Sequence, residues 1–333
     1  MLGYIVRRLL AALLVVIITS MAVFALFYKA IPNPAGPVCA AQGRCTADRL
    51  ALIEESMGLN EPITTQYGKF VKGVFVGRDV PFGSSTYECD APCFGISYGT
   101  RQPVTDQLVK AYPATLTLAL GGATIYLTFG VTLGVLAARA RGTIWDRGLV
   151  GFSLVISSIP YYLFALLAWI FLTLRTNIFP DTEYQPITQG VLPWIGAMLL
   201  PWLVLGIAQS TQYARFSRGE MLETLGEDYI RSASAKGVPR NKVIFKHALR
   251  AAIVPVVTIF GLDFAALLAG TVFTEKIFGI DGVGLLALDS VIETPMDLPV
   301  INATVMLAAA MVVLANLVVD ILYGYLDPRV RIG

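Results

Sequence analysis

Charged side chains are scarce in this sequence, at 14% of 333 residues, whereas 56% of the residues are hydrophobic. Soluble globular domains carry about 25% charged residues, so this balance excludes an ordinary soluble domain and indicates a polytopic membrane protein. The formal net charge is only +2, which gives no reason to expect a nucleic acid as a partner.

Catalytic and cofactor-binding motifs are missing as well. The sequence has no G-x-x-x-x-G-K-[ST], so it has no phosphate-cradling loop and we do not expect it to hydrolyse ATP. Its single histidine, His247, has no companion cluster of ligating or catalytic residues. No nucleophile, metal or dinucleotide constellation occurs either. We therefore predict that the chain is not an enzyme and holds no metal or cofactor of its own.

Cysteine is absent from every long apolar run. The four cysteines, Cys39, Cys45, Cys89 and Cys93, all fall within residues 29–113, which fits an oxidising compartment and disulfide bonds. Three pairings are possible, and the two local ones, Cys39 with Cys45 and Cys89 with Cys93, need the least rearrangement of the chain. A structural zinc site is the alternative, although C-x5-C and C-x3-C match common zinc spacings poorly.

Long apolar runs are abundant instead. Six of them are long enough to cross about 30 Å of hydrocarbon, and each should be helical, because lipid-exposed backbone must satisfy its own hydrogen bonds. The predicted spans are Leu9–Tyr28, Ala114–Ala138, Leu149–Leu174, Val191–Ser210, Ile253–Val272 and Val300–Tyr323. The fold class is therefore an all-α polytopic membrane protein with six transmembrane helices. A removed signal peptide is the alternative for residues 1–28, but that apolar run is longer than a signal core.

Basic residues predict the orientation of these spans. The two termini and the loops on the same side of the membrane contain 15 of the 25 lysine and arginine residues. The segments on the other side are longer in total but contain fewer of these residues. Basic residues concentrate on the cytoplasmic side, so both termini are predicted to be cytoplasmic. Residues 29–113 then form a long extracytoplasmic segment between the N-terminal helix at 1–28 and a core of five spans at 114–333. Two amphipathic patterns there, after Thr46 and after Pro62, predict helices on the outer membrane face, with a ligand site as the alternative.

The most charged stretch of the second half, residues 213–252, is predicted to form two short helices on the cytoplasmic side. The first begins at the capping-box spacing of Thr224 to Glu227. It ends before Gly237, which can adopt a left-handed conformation, and Pro239 prevents its continuation. The second runs from Asn241 to Arg250.

Small side chains dominate the first of these helices. The run from Ser232 to Ala235 allows another protein to approach the backbone, and Tyr229 and Ile230 offer apolar contact. Burial of those two side chains in a partner would contribute about 1.5 to 3 kcal/mol each. We interpret this helix as a docking element.

The same residues carry a family resemblance. Residues 229–237, with Lys246 to Arg250 and Ile253 to Pro255 after them, resemble the cytoplasmic signature loop of membrane permeases of ABC importers, in the oligopeptide, dipeptide and nickel branch. Arg231 and Ser232 stand where the general motif has Glu and Ala, which narrows the resemblance to the peptide branch.

The resemblance implies a type I ABC-importer permease fold and a coupling helix that sits in a cleft of the ATPase subunit. The residues that it assigns to ATPase docking are Glu227, Asp228, Tyr229, Ile230, Arg231, Ser232, Ala233, Ser234, Ala235, Lys236 and Gly237. Residues 271–284 also resemble the family's outer loop after the fifth span, and residues 323–329 its C-terminus. Residues 79–94 interrupt the family pattern.

Two acidic residues are candidates for the translocation pathway. Asp263 lies in the fifth span, where a carboxylate is costly unless it faces water or a partner; a hydrogen-bonded structural acid is the alternative. Glu275 lies in the outer loop, where it can meet a substrate ammonium or serve as a loop charge. Small-residue patterns at Gly130-x-x-x-Gly134 and at Gly261 predict close helix contacts.

The family implies a set of partners for this chain. They are a homologous second permease, two cytoplasmic ATPase subunits or one fused pair, which bind ATP and Mg, and an extracytoplasmic substrate-binding protein that delivers short peptides. The carried solute stays open, with nickel, glutathione, haem and sugars as other possibilities. The alternative function is a stand-alone secondary transporter or channel, with Asp263 as its ion site.

Overall fold

A computed structural model describes residues 2–30, 33, 35–41, 43–82, 85–293 and 296–326. Within them lie fourteen α-helices, one β-hairpin, two π-helical segments (Ile170–Arg175 and Val243–Ala248) and one 3-10 helix (Ile187–Gln189). The helices are α1 (Leu2–Ala30), α2 (Ala35–Ala41), α3 (Ala47–Ser56), α4 (Ile63–Val76), α5 (Val104–Arg139), α6 (Ile144–Ser158), α7 (Tyr161–Trp169), α8 (Val191–Leu225), α9 (Asp228–Ala235), α10 (Arg240–Lys242), α11 (Leu249–Leu268), α12 (Val272–Phe278), α13 (Val283–Ile292) and α14 (Leu298–Leu326). The strands are β1 (Arg78–Phe82) and β2 (Ser85–Cys89). Residues 327–333, which complete the C-terminal part of the family resemblance, lie outside the described residues.

The apolar spans are confirmed as helices, and five of the six are single helices long enough to cross a membrane: α1, α5, α8, α14 and the continuous helix Arg240–Leu268, which includes α10 and α11. The span predicted at residues 149–174 is not a straight helix. It is a pair, α6 and α7 with its π-helical extension Ile170–Arg175, bent by 90°. The break falls at Ile159, which is extended (φ −85°, ψ 125°) because Pro160 follows it.

The long helices α5 and α8 form the centre of the bundle. An added Cβ at Gly130 would lie 2.5 Å from Cβ of Tyr213, and one at Gly134 would lie 2.6 Å from the carbonyl oxygen of Ala214. The predicted close contact at the Gly130-x-x-x-Gly134 pattern is thus confirmed, and α8 is the helix that it contacts. Helix α5 begins at Val104, so residues 113 and 114, the expected boundary of the core, both lie inside it.

Helices α11 and α14 pack in a similar way. A Cβ at Gly261 would lie 2.0 Å from Cγ2 of Val319, so the small-residue face of α11 lies against α14. Helix α1 also packs on α14, and most of its described apolar side chains are exposed. Exposed apolar side chains over a long helix are what a lipid environment accommodates.

The two ends of the bundle differ. At one end, called here the hairpin end, α2 and α3 pack on Leu298 and Ile301 of α14, and α4 packs on α1 through Tyr67, whose hydroxyl lies 2.6 Å from Oγ of Ser20. The other end is called the α9 end, because the last turns of α5 and α8 meet α9 there. Helices at the two positions predicted after Thr46 and Pro62 are confirmed.

The helical fold class is confirmed, and the segment that interrupts the family pattern contains a β-hairpin that the sequence did not predict. Strands β1 and β2 pair antiparallel, with Arg78 opposite Cys89. Helix α4 stops at Gly77, whose positive φ of 80° turns the chain into β1 and whose missing side chain leaves room for the carbonyl of Cys89. Both predicted disulfides are confirmed, Cys39 with Cys45 and Cys89 with Cys93.

Candidate functional site

Helix α9, the predicted docking helix, is held at the α9 end by a single buried side chain. Ile230 is 3% exposed and packs into a cluster built by α5, α8 and the start of the helix that leads into α11. The buried members of that cluster are Val135, Ala138, Met221, Ile230, Val243, Ile244, Ala248 and Ala252. Ile230 therefore links α9 to the helices that cross the bundle.

The start of α9 differs from the prediction. Helix α8 continues without a break to Leu225, so Thr224 is buried in its last turn and does not begin a new helix. The residue before α9 is Glu227, with extended backbone and no side-chain capping hydrogen bond. The capping-box prediction was wrong because its two residues belong to different elements: Thr224 lies in the last turn of α8, and Glu227 precedes α9. The N–H of Glu227 donates to the backbone carbonyl of Thr224 at 3.1 Å, not to a side chain.

The end of α9 follows the prediction. Gly237 has φ +81°, and its N–H donates to the carbonyl of Ser234 at 3.0 Å, while the N–H of Val238 donates to that of Ala233 at 3.3 Å. This pair of hydrogen bonds is the Schellman motif, in which glycine is preferred because its φ is positive. It turns the chain sharply back toward the bundle.

The docking residues divide into two faces. Ile230 faces the cluster, so its predicted contact with a partner is corrected: it anchors α9 instead. Ala233 is half-buried on the same side. The exposed residues are Glu227, Asp228, Tyr229, Arg231, Ser232, Ser234, Ala235, Lys236 and Gly237. On this exposed side the small residues Ser232 and Ala235 leave the helix backbone accessible to a partner surface.

An ion pair between α6 and α8 was not predicted. Asp146 in the first turn of α6 accepts two hydrogen bonds from Arg218 of α8, Nε to Oδ1 at 2.6 Å and Nη2 to Oδ2 at 2.8 Å. The Thr143-x-x-Asp146 spacing signals the start of α6, where Oγ1 of Thr143 accepts from the N–H of Asp146. No local pattern signals a partner 72 residues away.

Asp263 lies between three helices of the bundle. The hydroxyl of Tyr213 in α8 donates to its Oδ2 at 2.8 Å, and the ring of Tyr126 in α5 packs on the Tyr213 ring at 4.7 Å between centroids. Its carboxylate is half-buried and points away from α14, since Gly261 on the opposite face occupies that contact. This position has the hydrogen bond that the structural alternative requires, and a role in translocation stays a prediction.

Glu275 is fully buried, at 0% exposure. Four groups donate to its carboxylate: the N–H of Thr271 (3.1 Å), the N–H of Leu285 (2.7 Å), and the hydroxyls of Thr115 (3.0 Å) and Thr271 (3.4 Å). Burial raises the pKa of Glu275, and these four hydrogen bonds oppose that rise. The carboxylate is enclosed by its own chain, so its prediction as a contact for a substrate ammonium is corrected.

The chain around Glu275 is shaped to enclose it. A Cβ at Gly282 would lie 2.5 Å from Cδ of Glu275, and one at Gly284 would lie 2.9 Å from Oε2. Thr115 of α5 both donates to Glu275 and accepts from the N–H of Val283 at 2.8 Å. Glu275 therefore fastens α12, α13 and α5 together at the hairpin end.

Substitution of Glu275 by glutamine should lower the free energy of unfolding by about 1 to 3 kcal/mol. An amide has one acceptor oxygen, so its NH2 group would face the backbone N–H of either Thr271 or Leu285. Thermal unfolding of the purified chain in detergent measures the effect. Glu293, exposed at the end of α13, is the matched control, and Glu293→Gln should change stability by less than about 0.5 kcal/mol. Equal stability of both variants would contradict the enclosed-carboxylate argument.

Comparison with known proteins agrees with this architecture. Residues 130–332 match the family model described as binding-protein-dependent transport system inner membrane component. Residues 1–119 match the model for the N-terminal part of such membrane components. The two matches together cover nearly the whole chain.

Individual relatives match over the same length. The chain is 34% identical to the probable peptide ABC transporter permease protein y4tP of Sinorhizobium fredii, over 98% of this chain and 99% of that protein. It is 34% identical to the dipeptide transport system permease protein DppB of Escherichia coli, and 32% identical to a putative peptide transport system permease protein of Brucella abortus, each over 99% of both chains. The chain therefore belongs to the family of binding-protein-dependent transport system inner membrane components, the membrane permease subunits of ABC importers.

Proposed function

We propose that this chain forms half of the translocation pathway of an ATP-driven importer of short peptides. The observation that carries the proposal is α9, a short helix with a small-residue exposed face, anchored by Ile230 where α5, α8 and α11 meet. The relatives that match over nearly their full length are named as peptide and dipeptide permeases, which supports peptides as the solute.

Coupling in this proposal runs through packed side chains. A partner that binds α9 differently in two states shifts the permease between two conformations by its difference in affinity for them. Ile230 transmits that shift to α8 and to the helix leading into α11 through the cluster at the α9 end. Close packing of small residues at Gly130, Gly134 and Gly261 lets those helices move as rigid bodies, which favours alternating access over local deformation.

The partners follow from this mechanism. The chain pairs with a homologous second permease, and two ATPase subunits or one fused pair bind and hydrolyse ATP with Mg, docking on the exposed residues of α9. An extracytoplasmic substrate-binding protein delivers the solute at the hairpin end. Both termini are cytoplasmic in the cell membrane, which also puts the two disulfides on the oxidising side.

The experiment that tests the proposal is purification from the native membrane followed by reconstitution in proteoliposomes. We expect ATPase subunits to co-purify, and uptake of a labelled dipeptide to require ATP and to persist when the proton gradient is collapsed. The alternative, an ion-coupled transporter that uses Asp263, gives uptake driven by the gradient without ATP. That outcome would overturn the proposal.

A further inference from the structure

A cavity of about 470 Å³ lies at the bend between α6 and α7, against α8. This volume is within the range of small-molecule sites, roughly 300 to 1,000 Å³. One wall is the break itself, with Ile159, Pro160 and Tyr161, and the other is the part of α8 between Leu205 and Arg215. Neither the docking surface of α9 nor the enclosed carboxylate of the outer loop contributes to this cavity.

Three polar side chains of α8 line the cavity: Gln209, Gln212 and Arg215. They recur at intervals of three residues, so they form a row about 9 Å long on one side of the helix. Within the described part of the chain the two glutamine amides have no hydrogen-bond partner. Gln212 is exposed and Gln209 is half-buried, so both amides can reach a ligand in the cavity.

The cavity lies within the depth of the membrane. Ser157, which also lines it, is 13 residues after Ile144, the first residue of α6, and so lies about 20 Å along that helix. The start of α6 is at the predicted cytoplasmic surface, and the hydrocarbon core is about 30 Å thick. Polar and charged side chains at that depth are costly unless they meet water or a ligand.

The guanidinium group of Arg215 has one free edge. Its Nη1 donates to Oγ of Ser157 at 2.9 Å and to the carbonyl oxygen of Ser153 at 3.4 Å. Nε and Nη2 donate to no group among the described residues, and neither nitrogen is fully buried. The described residues that line the cavity include no acid. The free edge therefore offers two N–H donors to an anion, the geometry in which arginine binds a carboxylate through two parallel hydrogen bonds.

We infer that the cavity binds the C-terminal carboxylate of the transported peptide at Arg215, with the preceding peptide groups beside Gln212 and Gln209. A glutamine amide both donates and accepts hydrogen bonds, as a peptide group requires. An extended chain advances about 3.3 to 3.6 Å per residue, so a tripeptide matches the length of the row. That the ligand is a peptide rests on the proposed function, whereas the preference for an anion rests on Arg215.

The test measures binding to the full chain without ATP. The chain is placed in nanodiscs of phosphatidylcholine, so that no anionic lipid competes for Arg215. Equilibrium dialysis compares labelled Ala-Ala-Ala with its C-terminal amide, which has no negative charge. We expect the amide to bind at least about tenfold more weakly, the effect of a lost hydrogen bond between charged groups. Equal binding of the two peptides, or no binding of either, would overturn the inference.

Variants assign the preference to the row on α8. Arg215→Gln should weaken binding of Ala-Ala-Ala by about tenfold and remove its advantage over the amide. Arg147→Gln, the same change at an exposed residue of α6, should leave both affinities unchanged. Gln212→Leu should weaken both peptides to the same extent, and it serves as the test if Arg215→Gln does not fold. A preference that survives Arg215→Gln, or an unchanged affinity in Gln212→Leu, contradicts the assignment.

An acidic side chain of the second permease is the competing occupant of Arg215. In that case Arg215→Gln would reduce co-purification of the second permease, while the unchanged protein would bind the two peptides equally, and this result overturns the inference. Failure of ATP-driven uptake gives a different result. It would overturn the proposed function and leave the carboxylate preference standing, because the dialysis requires neither ATP nor uptake.

Discussion

Substitution of Ala235 by arginine should leave the permease folded and yet lower ATP-driven uptake at least about tenfold, equivalent to about 1.4 kcal/mol. Ala235 lies on the exposed face of α9, on the side opposite Ile230. A small side chain there allows a partner to approach the helix backbone. The longer arginine side chain would keep the partner surface away from the helix, or it would place an unpaired charge in a contact that excludes water. Either effect would weaken binding of the partner by several kcal/mol.

Two control variants separate docking from folding. Ala235→Ser keeps the residue small and should retain uptake close to that of the unchanged protein. Gly148→Arg adds the same charge at the start of α6, where an added side chain meets open space, and should also retain it. The measurement is uptake and ATP hydrolysis in proteoliposomes with the co-purified subunits. Undiminished uptake in Ala235→Arg would count decisively against α9 as the docking helix.

Substitution of Asp146 by asparagine should lower the free energy of unfolding by about 3 kcal/mol, the lower end of the range for breaking a buried ion pair. Asp146 is buried, and its carboxylate accepts hydrogen bonds from the guanidinium of Arg218 and from the N–H of Gly142 at 2.9 Å. Asparagine can accept at one oxygen only, and the guanidinium of Arg218 loses its counter-charge. The lower end applies because the Arg218 side chain is one-quarter exposed, so water screens part of the loss.

A double-mutant cycle identifies the pair as the cause. The double variant Asp146→Leu with Arg218→Met removes both charges. Its loss of unfolding free energy should be smaller than the sum of the losses of the two single variants by about 0.5 to 3 kcal/mol. The exposed pair of Asp228 and Arg231, 3.6 Å apart on α9, is the matched control, and Asp228→Asn should cost less than about 1 kcal/mol. Chemical denaturation in detergent gives these values. Additive losses in the cycle would show that the two side chains act independently.

Features that depend on a few consecutive residues could be predicted from the sequence. Gly237 ends α9 because a positive φ follows the last turn of a helix, and that preference depends on one residue and its immediate neighbours. Cys39 and Cys45 are close along the chain, as are Cys89 and Cys93, so chain proximity favoured these local pairs, and the structure has both. The bend at Pro160 was within reach of the same reasoning, since proline restricts the residue before it.

Which side chains are buried and which face outward was harder to predict from the sequence. Ile230 and Tyr229 are adjacent and both apolar in character, yet only Ile230 is buried, because the cluster beneath α9 is assembled from α5, α8 and the approach to α11. Glu275 carried the pattern of a loop charge, and its enclosure depends on Thr115, 160 residues earlier. Contacts over such separations leave no periodic trace in the sequence.

The sequence by itself determined the membrane class, the approximate positions of the apolar spans and the family, because hydropathy and motif spacing are properties of consecutive residues. Tertiary structure alone decided which side chains face a partner, which acid is enclosed, and that Asp146 meets Arg218. These outcomes depend on how helices distant in sequence cross one another, and a buried polar group finds its partner only after that packing is complete.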